Sequence, residues 1–172
     1  DYFNTNEAID ALTVGVYQYL RWYFCNEAAY SMLNYGTDEY TVGADNSNGP
    51  WNDYSSALAP TVATVNSNTA AASTLWNYMY TGINIANTLI DRIESGVYTG
   101  GKAKTVAGTG HFIRGFHYYN LLTQYGSVPL KLTPSTTVEF EFEPASMPEV
   151  FDQIEKDLTA AFDELPEKAN KQ

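Results

Sequence analysis

Two histidines, a glycine-rich turn, an acidic turn and a dense set of carboxylates are the parts of this chain from which chemistry could be built. His111 and His117 stand six residues apart. On a helix that spacing turns them about 240° from each other, so they cannot clamp one metal ion, and both are expected as satisfied structural histidines. Gly96-x-x-x-x-Gly101-Lys102 has phosphate-loop spacing, but Ala103 stands where a Ser or Thr must hold magnesium, and helical periodicity precedes it where a strand should. Nucleotide binding is not expected. Gly108-x-Gly110 lacks the third glycine of a dinucleotide fingerprint and reads as close helix packing. Asp45-Asn46-Ser47-Asn48-Gly49 resembles the start of a calcium loop, yet Ser47 holds the third position and no Glu closes the ring, so a plain turn is expected.

No Gly-x-Ser-x-Gly elbow occurs, and two histidines leave a hydrolase triad little to draw on. Glu149, Asp152, Glu155, Asp157, Asp163 and Glu164 read as a solvated helix face; a glycosidase needs two carboxylates across a cleft, one kept protonated by burial. Cys25, the single cysteine, has no neighbouring His or base to lower its pKa and is expected as a packed core thiol. The expectation is a protein without catalytic residues, metal or cofactor.

What remains is a long joint, about Gly36 to Ser73, in which Tyr40, Trp51 and Tyr54 lie among Asp38, Glu39, Asp45, Asn46, Asn48, Asn52 and Asp53. Connections beyond roughly 12 to 15 residues tend to be functional or disordered. An aromatic ring can lie against the C–H face of a sugar, while Asp and Asn exchange hydrogen bonds with its hydroxyls. The plainer alternative is that Trp51, after Pro50, plugs the joint onto the helices, since large rings usually bury.

The elements that must position this joint are helical. Ile9, Leu12, Val16, Tyr19 and Tyr23 predict one helix over about Thr5 to Tyr23, opened by Asn4 and Glu7 and continuing or restarting through Ala28 to Leu33. Trp76, Met79, Ile83, Ala86, Ile90 and Ile93 form a second stripe, ended by Gly96. A third helix runs from about Thr105 to Tyr125, stacks Phe112, Phe116 and Tyr119 on one side, and stops at Gly126 before an extended Val128-Pro129-Leu130. Its Gly108, Gly110 and Gly115 each cost about 1 kcal/mol relative to Ala, which close packing must offset. A capping box, Ser146 to Glu149, opens the fourth, with Phe151, Ile154, Leu158, Ala161 and Leu165 expected inward. Val138 to Glu143 alternates by two and reads as a strand or as extended chain along a helical layer.

Length and charge bound the rest. The 172 residues suit one domain or a piece of a larger one, and 44% hydrophobic with 17% charged residues argues against a disordered tail. Net charge is −11, and no Lys or Arg lies between Arg21 and Arg92. Nucleic acids and anionic lipids both need clustered cations, so neither is an expected partner. The chain opens at Asp1 without a signal peptide or initiator Met, as a trimmed or processed product would. No apolar run approaches the roughly 20 residues that span a bilayer.

Four segments now resemble, in order, the N-terminal part of SusD/RagB-like outer-membrane lipoproteins. They are Tyr2-Phe3-x-Thr5-x-Glu7-Ala8 with Gly15-x-Tyr17; Trp76-x-x-x-Tyr80-x-x-Ile83-x-x-Ala86-Asn87; Phe112-Ile113-Arg114-Gly115-x-x-Tyr118-Tyr119-x-Leu121-x-x-x-Tyr125-Gly126-x-Val128-Pro129-Leu130; and Asp157-Leu158-x-x-Ala161-x-x-x-Leu165-Pro166. Gly115 stands where that family usually has Ala, and Gly108-Thr109-Gly110 replaces a Glu-containing turn. The resemblance implies an all-α, tetratricopeptide-like stack of helical hairpins with long irregular loops, in which residues 1–172 form the N-terminal part of a longer domain. It implies a structural Arg114, bonding helix-end carbonyls or a neighbouring acid. It further implies noncatalytic capture of an oligosaccharide or polysaccharide, here a neutral one, at the cell surface of the outer membrane. A lipid anchor absent from this chain would hold the protein there, and a SusC-like TonB-dependent transporter would receive the ligand. In characterised relatives part of the glycan site comes from the loop between the first two helices. That points to Trp51 as stacking platform, Tyr54 or Tyr40 as a second ring, and Asp38, Asn52 and Asp53 as hydroxyl partners. The rival expectations are a transporter-docking segment with ligand contacts elsewhere and a helical glycoside hydrolase.

Overall fold

The structure, a computed structural model, describes residues 4–25, 34, 39, 70–135, 137 and 142–167. Five helices lie among them: α1 (Asn6–Gly15), α2 (Gln18–Cys25), α3 (Ala70–Glu94), α4 (Ala103–Tyr125) and α5 (Met147–Glu164). No strand occurs among the described residues. The chain divides into two compact units, Gln18–Tyr78 on the one hand and Asp1–Tyr17 with Met79–Gln172 on the other.

In the larger unit α1 is capped by Thr5, whose hydroxyl accepts from Ala8 N at 3.2 Å, rather than by Asn4. The single helix expected up to Tyr23 is broken after Gly15: Val16 and Tyr17 form a turn, and Tyr17 N reaches back only three residues, to Val14 O. Gly15 supplies the reason, because glycine weakens a helix by roughly 1 kcal/mol. The stripe on α3 buries Met79, Ile83, Ala86 and Ile90 as expected, and Gly96, at φ 72°, follows its end.

α4 is the central helix, buried on most sides. Its core side chains include Ile113, Tyr118 and Leu121, on a different side from the expected Phe112, Phe116 and Tyr119 row. Phe112 and Phe116 do stack, at 6.2 Å, but they are half-buried, and Tyr119 is 54% exposed. Gly126, at φ 76° and ψ −128°, a region open to glycine alone, ends the helix.

Glycine sets how closely α4 approaches its neighbours. A Cβ on Gly110 would stand 2.8 Å from Ile90 Cγ1 and 3.0 Å from the Ala86 carbonyl oxygen of α3. On the other side, a Cβ on Gly108 would stand 2.9 Å from Glu164 Cβ and from Leu165 Cγ. Gly115 faces Asp157 and Leu158, so α4 and α5 run antiparallel. Gly110→Ala is expected to destabilise the fold: helix propensity gains roughly 1 kcal/mol, but overpacking against fixed backbone costs about 1–3 kcal/mol. A urea midpoint that rises in this variant would contradict the close approach.

α5 opens with the expected capping box. Ser146 Oγ accepts from Glu149 N, and Glu149 Oε2 accepts from Ser146 N at 2.8 Å. The Ser146 hydroxyl, which donates to Glu149 Oε2 at 2.6 Å, and the Ser146 N–H hold the Glu149 carboxyl below its ordinary pKa. The inward face is rotated from expectation: Val150, Ile154, Asp157 and Ala161 are buried, while Phe151, Leu158 and Phe162 are exposed. Of the Val138 to Glu143 stretch, 138–141 lie outside the described residues; Phe142 lies 4.5 Å beneath the Lys131 ammonium. In the smaller unit α2 ends at Cys25, which is exposed and not the core thiol expected.

Candidate functional site

After α4 the chain runs through residues 128–135 with no regular structure of its own, and side chains of α3 and α4 hold it as a strap. Tyr80 Oη donates to Pro129 O at 2.8 Å. Tyr118 Oη donates to Lys131 O at 3.0 Å and accepts from Lys131 N at 2.6 Å. Asn87 Nδ2 donates to the carbonyls of Lys131 and Thr133, and Asn84 Oδ1 accepts from Ser135 N. Buried backbone groups need partners, and here the helices supply them.

Arg114 ties this strap to α5. Its Nε and Nη2 donate to Asp157 Oδ2 and Oδ1 at 2.8 and 2.7 Å, and its Nη1 donates to Asn87 Oδ1 at 2.9 Å and Leu132 O at 3.3 Å. Gln153 Nε2 donates to the same Asp157 carboxylate. Both members of the pair are buried. Arg114 is thus bonded to a neighbouring acid and a strap carbonyl, and Asp157, read from sequence as part of a solvated face, is one of the most buried groups in the protein. Burial pushes the Tyr118 hydroxyl up to about 12 and raises that of Tyr80, so both remain proton donors to the strap at neutral pH.

Sequence reasoning missed Tyr80, Asn84 and Asn87 as a unit. Their signal was present: they step by 4 and 3, placing polar groups along one face of an otherwise apolar helix.

The phosphate-like turn is occupied by α1. Tyr98 Oη donates to Asp10 Oδ1 at 2.8 Å, Thr99 N donates to Asn6 Oδ1 at 2.9 Å, and Lys102 Nζ lies 4.0 Å from Asp10. α3 precedes it, as the periodicity indicated. His111 Nδ1 meets Glu164 Oε2 at 2.7 Å. His117 corrects the expectation of a satisfied histidine: it is 1% exposed, neither ring nitrogen has a hydrogen-bond partner, and desolvation lowers its pKa to about 4. Among the described residues no group of three His, Cys, Asp or Glu could hold a metal ion, and no helix is long and apolar enough to cross a membrane.

The six residues to which the sequence points for ligand contact, Asp38, Tyr40, Trp51, Asn52, Asp53 and Tyr54, lie outside the described residues. Flanking that joint in sequence are the rings of the smaller unit. Tyr19 of α2 and Tyr78 of α3 lie 6.0 Å apart at 55°, and Tyr23 and Phe24 meet edge to face at 5.1 Å. Phe24 is 69% and Tyr78 38% exposed.

These helices are those of an all-α, tetratricopeptide-like stack of hairpins. The chain belongs to the SusD-like family: the family model described as starch-binding and associating with the outer membrane matches residues 1–172. Similar solved structures include a laminarin-binding SusD-like protein, 26% identical with a TM-score of 0.72, aligned over 93% of this chain and 34% of that one. A crystal structure with xylogluco-oligosaccharide is 20% identical with a TM-score of 0.71, over 95% and 31%. A SusD-like protein from Bacteroides fragilis NCTC 9343 is 18% identical with a TM-score of 0.73, over 98% and 31%. The chain thus spans about a third of the length of these relatives. No curated protein sequence matches it.

Proposed function

We propose that this chain is part of a noncatalytic glycan-binding protein that captures a neutral oligosaccharide at the outer-membrane surface and delivers it to a SusC-type TonB-dependent transporter. The observation that carries the reading is the family match over the whole of residues 1–172, in a family described as starch-binding. The laminarin-binding relative at 26% identity supports glucans as the ligand class. A net charge of −11 and the absence of Lys or Arg between Arg21 and Arg92 favour an uncharged glycan over a sulfated or uronic one. Trp51 is the proposed stacking platform, Tyr54 or Tyr40 the second ring, and Asp38, Asn52 and Asp53 the hydroxyl partners.

Calorimetry on the full-length protein with laminarin, xyloglucan and maltose oligosaccharides tests this. Binding of at least one is expected, and Trp51→Ala should weaken it about tenfold, as loss of one well-placed ring does, with helicity unchanged. Binding of peptides alone would overturn the reading. Unchanged sugar affinity in a folded Trp51→Ala protein would instead place ligand contacts elsewhere in a longer chain and leave this segment the docking role.

A further inference from the structure

We propose that Tyr19, Tyr23, Phe24 and Tyr78 form a second stacking surface for the same neutral glycan, on α2 and the N-terminal part of α3, the helices that flank the long joint in sequence. The inference rests on the glycan-binding reading and extends it to residues outside the joint.

α2 is an unusual helix for a folded chain. Its sequence, QYLRWYFC, carries rings at four of eight positions, yet none of its described side chains is fully buried. Tyr19 and Tyr23 are one turn apart and share a face, so the rings form a row rather than scattered points. Tyr78 joins that row from α3, tilted against Tyr19 at 6.0 Å, and Phe24 extends it from the edge of Tyr23. These ring-to-ring contacts give the row a packed arrangement of its own. Rings fixed before binding lose little side-chain freedom when a ligand arrives.

The chemistry of the surface selects the ligand. Tyrosine offers an apolar face for sugar C–H groups and a hydroxyl at its rim, and exposed Gln18 and Asn77 stand beside Tyr19 and Tyr78 with amides that both donate and accept. Arg21 is the only cation on α2, and α3 has none before Arg92, so phosphate and anionic lipid headgroups find no cluster of counter-charges. A row of rings flanked by amides suits an uncharged chain of hexoses.

The test uses the full-length protein and a laminarin or xyloglucan oligosaccharide that the wild type binds. Phe24→Ala and Tyr78→Ala are each expected to weaken binding about three- to tenfold, while Tyr78→Phe stays near wild type because the ring face carries the contact. Ring-labelled Tyr and Phe in the wild type should show resonance shifts at these positions on titration with the same oligosaccharide, a readout that needs no variant to fold. Affinities within twofold of wild type for both folded alanine variants would overturn the second surface while leaving the glycan-binding reading intact; so would ring resonances that do not move. A wild-type protein that binds none of the glycans tested would end both.

Discussion

Asp157→Ala is expected to lower the unfolding free energy by about 3–5 kcal/mol, the effect of removing one member of a buried ion pair. The carboxylate accepts both a bidentate guanidinium and the Gln153 amide, so its loss strands a buried cation. In a protein of this size that is a fall in Tm on the order of 10 °C. Arg114→Met should destabilise comparably, because it strands the carboxylate and leaves Asn87 Oδ1 and Leu132 O without their donor. The two changes together should cost less than their sum, with a coupling on the order of 1–3 kcal/mol in a double-mutant cycle. Urea denaturation of the four proteins measures all of this. A change below about 1 kcal/mol for Asp157→Ala would show that the pair does not organise the fold.

The second large effect is an acid dependence centred on His117. Burial of an imidazole without hydrogen-bond partners drives its pKa from 6.5 down to about 4. The folded protein therefore keeps His117 neutral, while the unfolded chain takes up the proton below its ordinary pKa near 6.5. As pH falls from about 6.5 to about 4 the unfolded state gains protons that the native state does not, so stability declines across that window and levels off below it. The contribution of this one side chain is about 3 kcal/mol. Carboxylates titrate in part of the same range, so the measurement is a difference: His117→Leu should gain about that much relative to wild type between pH 7.5 and pH 4. A gap between the two proteins that does not change with pH would mean that His117 has a polar partner.

The sequence is most readable where structure is decided locally. The Ser146 and Glu149 box, the stops at Gly96 and Gly126 and the stripe on α3 each depend on residues within a few positions of one another, and all stand as read. Gly15 was equally local, and its break in the first helix could have been read from propensity alone. Orientation was less readable because it is decided at long range. α5 is turned so that Asp157 faces Arg114, 43 positions away in sequence, and this sends Phe151, Leu158 and Phe162 outward despite their apolar spacing. Burial alone could not have revealed this, since an acid on an acidic helix looks solvated until its partner is known. His117 shows the same limit from the other side, for no spacing tells whether a histidine finds a partner. The candidate residues in the joint, Asp38, Tyr40, Trp51, Asn52, Asp53 and Tyr54, were chosen by residue type and lie outside the described residues. Tyr19 and Tyr23, read from spacing as an apolar stripe, gave no sign of their ring contacts with Tyr78 and Phe24, because those contacts depend on packing and not on period.

The clamp around residues 128–135 grips main chain. Its bonds end on the carbonyls of Pro129, Lys131, Leu132 and Thr133 and on the amides of Lys131 and Ser135. Val128 is buried and the Lys131 ammonium lies over Phe142, but from Leu132 to Ser135 the clamp reads main chain rather than side chains; proline at 131 or 135 is barred, because it would delete a required N–H. Spelling from Leu132 to Ser135 is therefore free to drift over evolutionary time while its path stays put, and the burden of keeping that path falls on tyrosines and asparagines many positions distant.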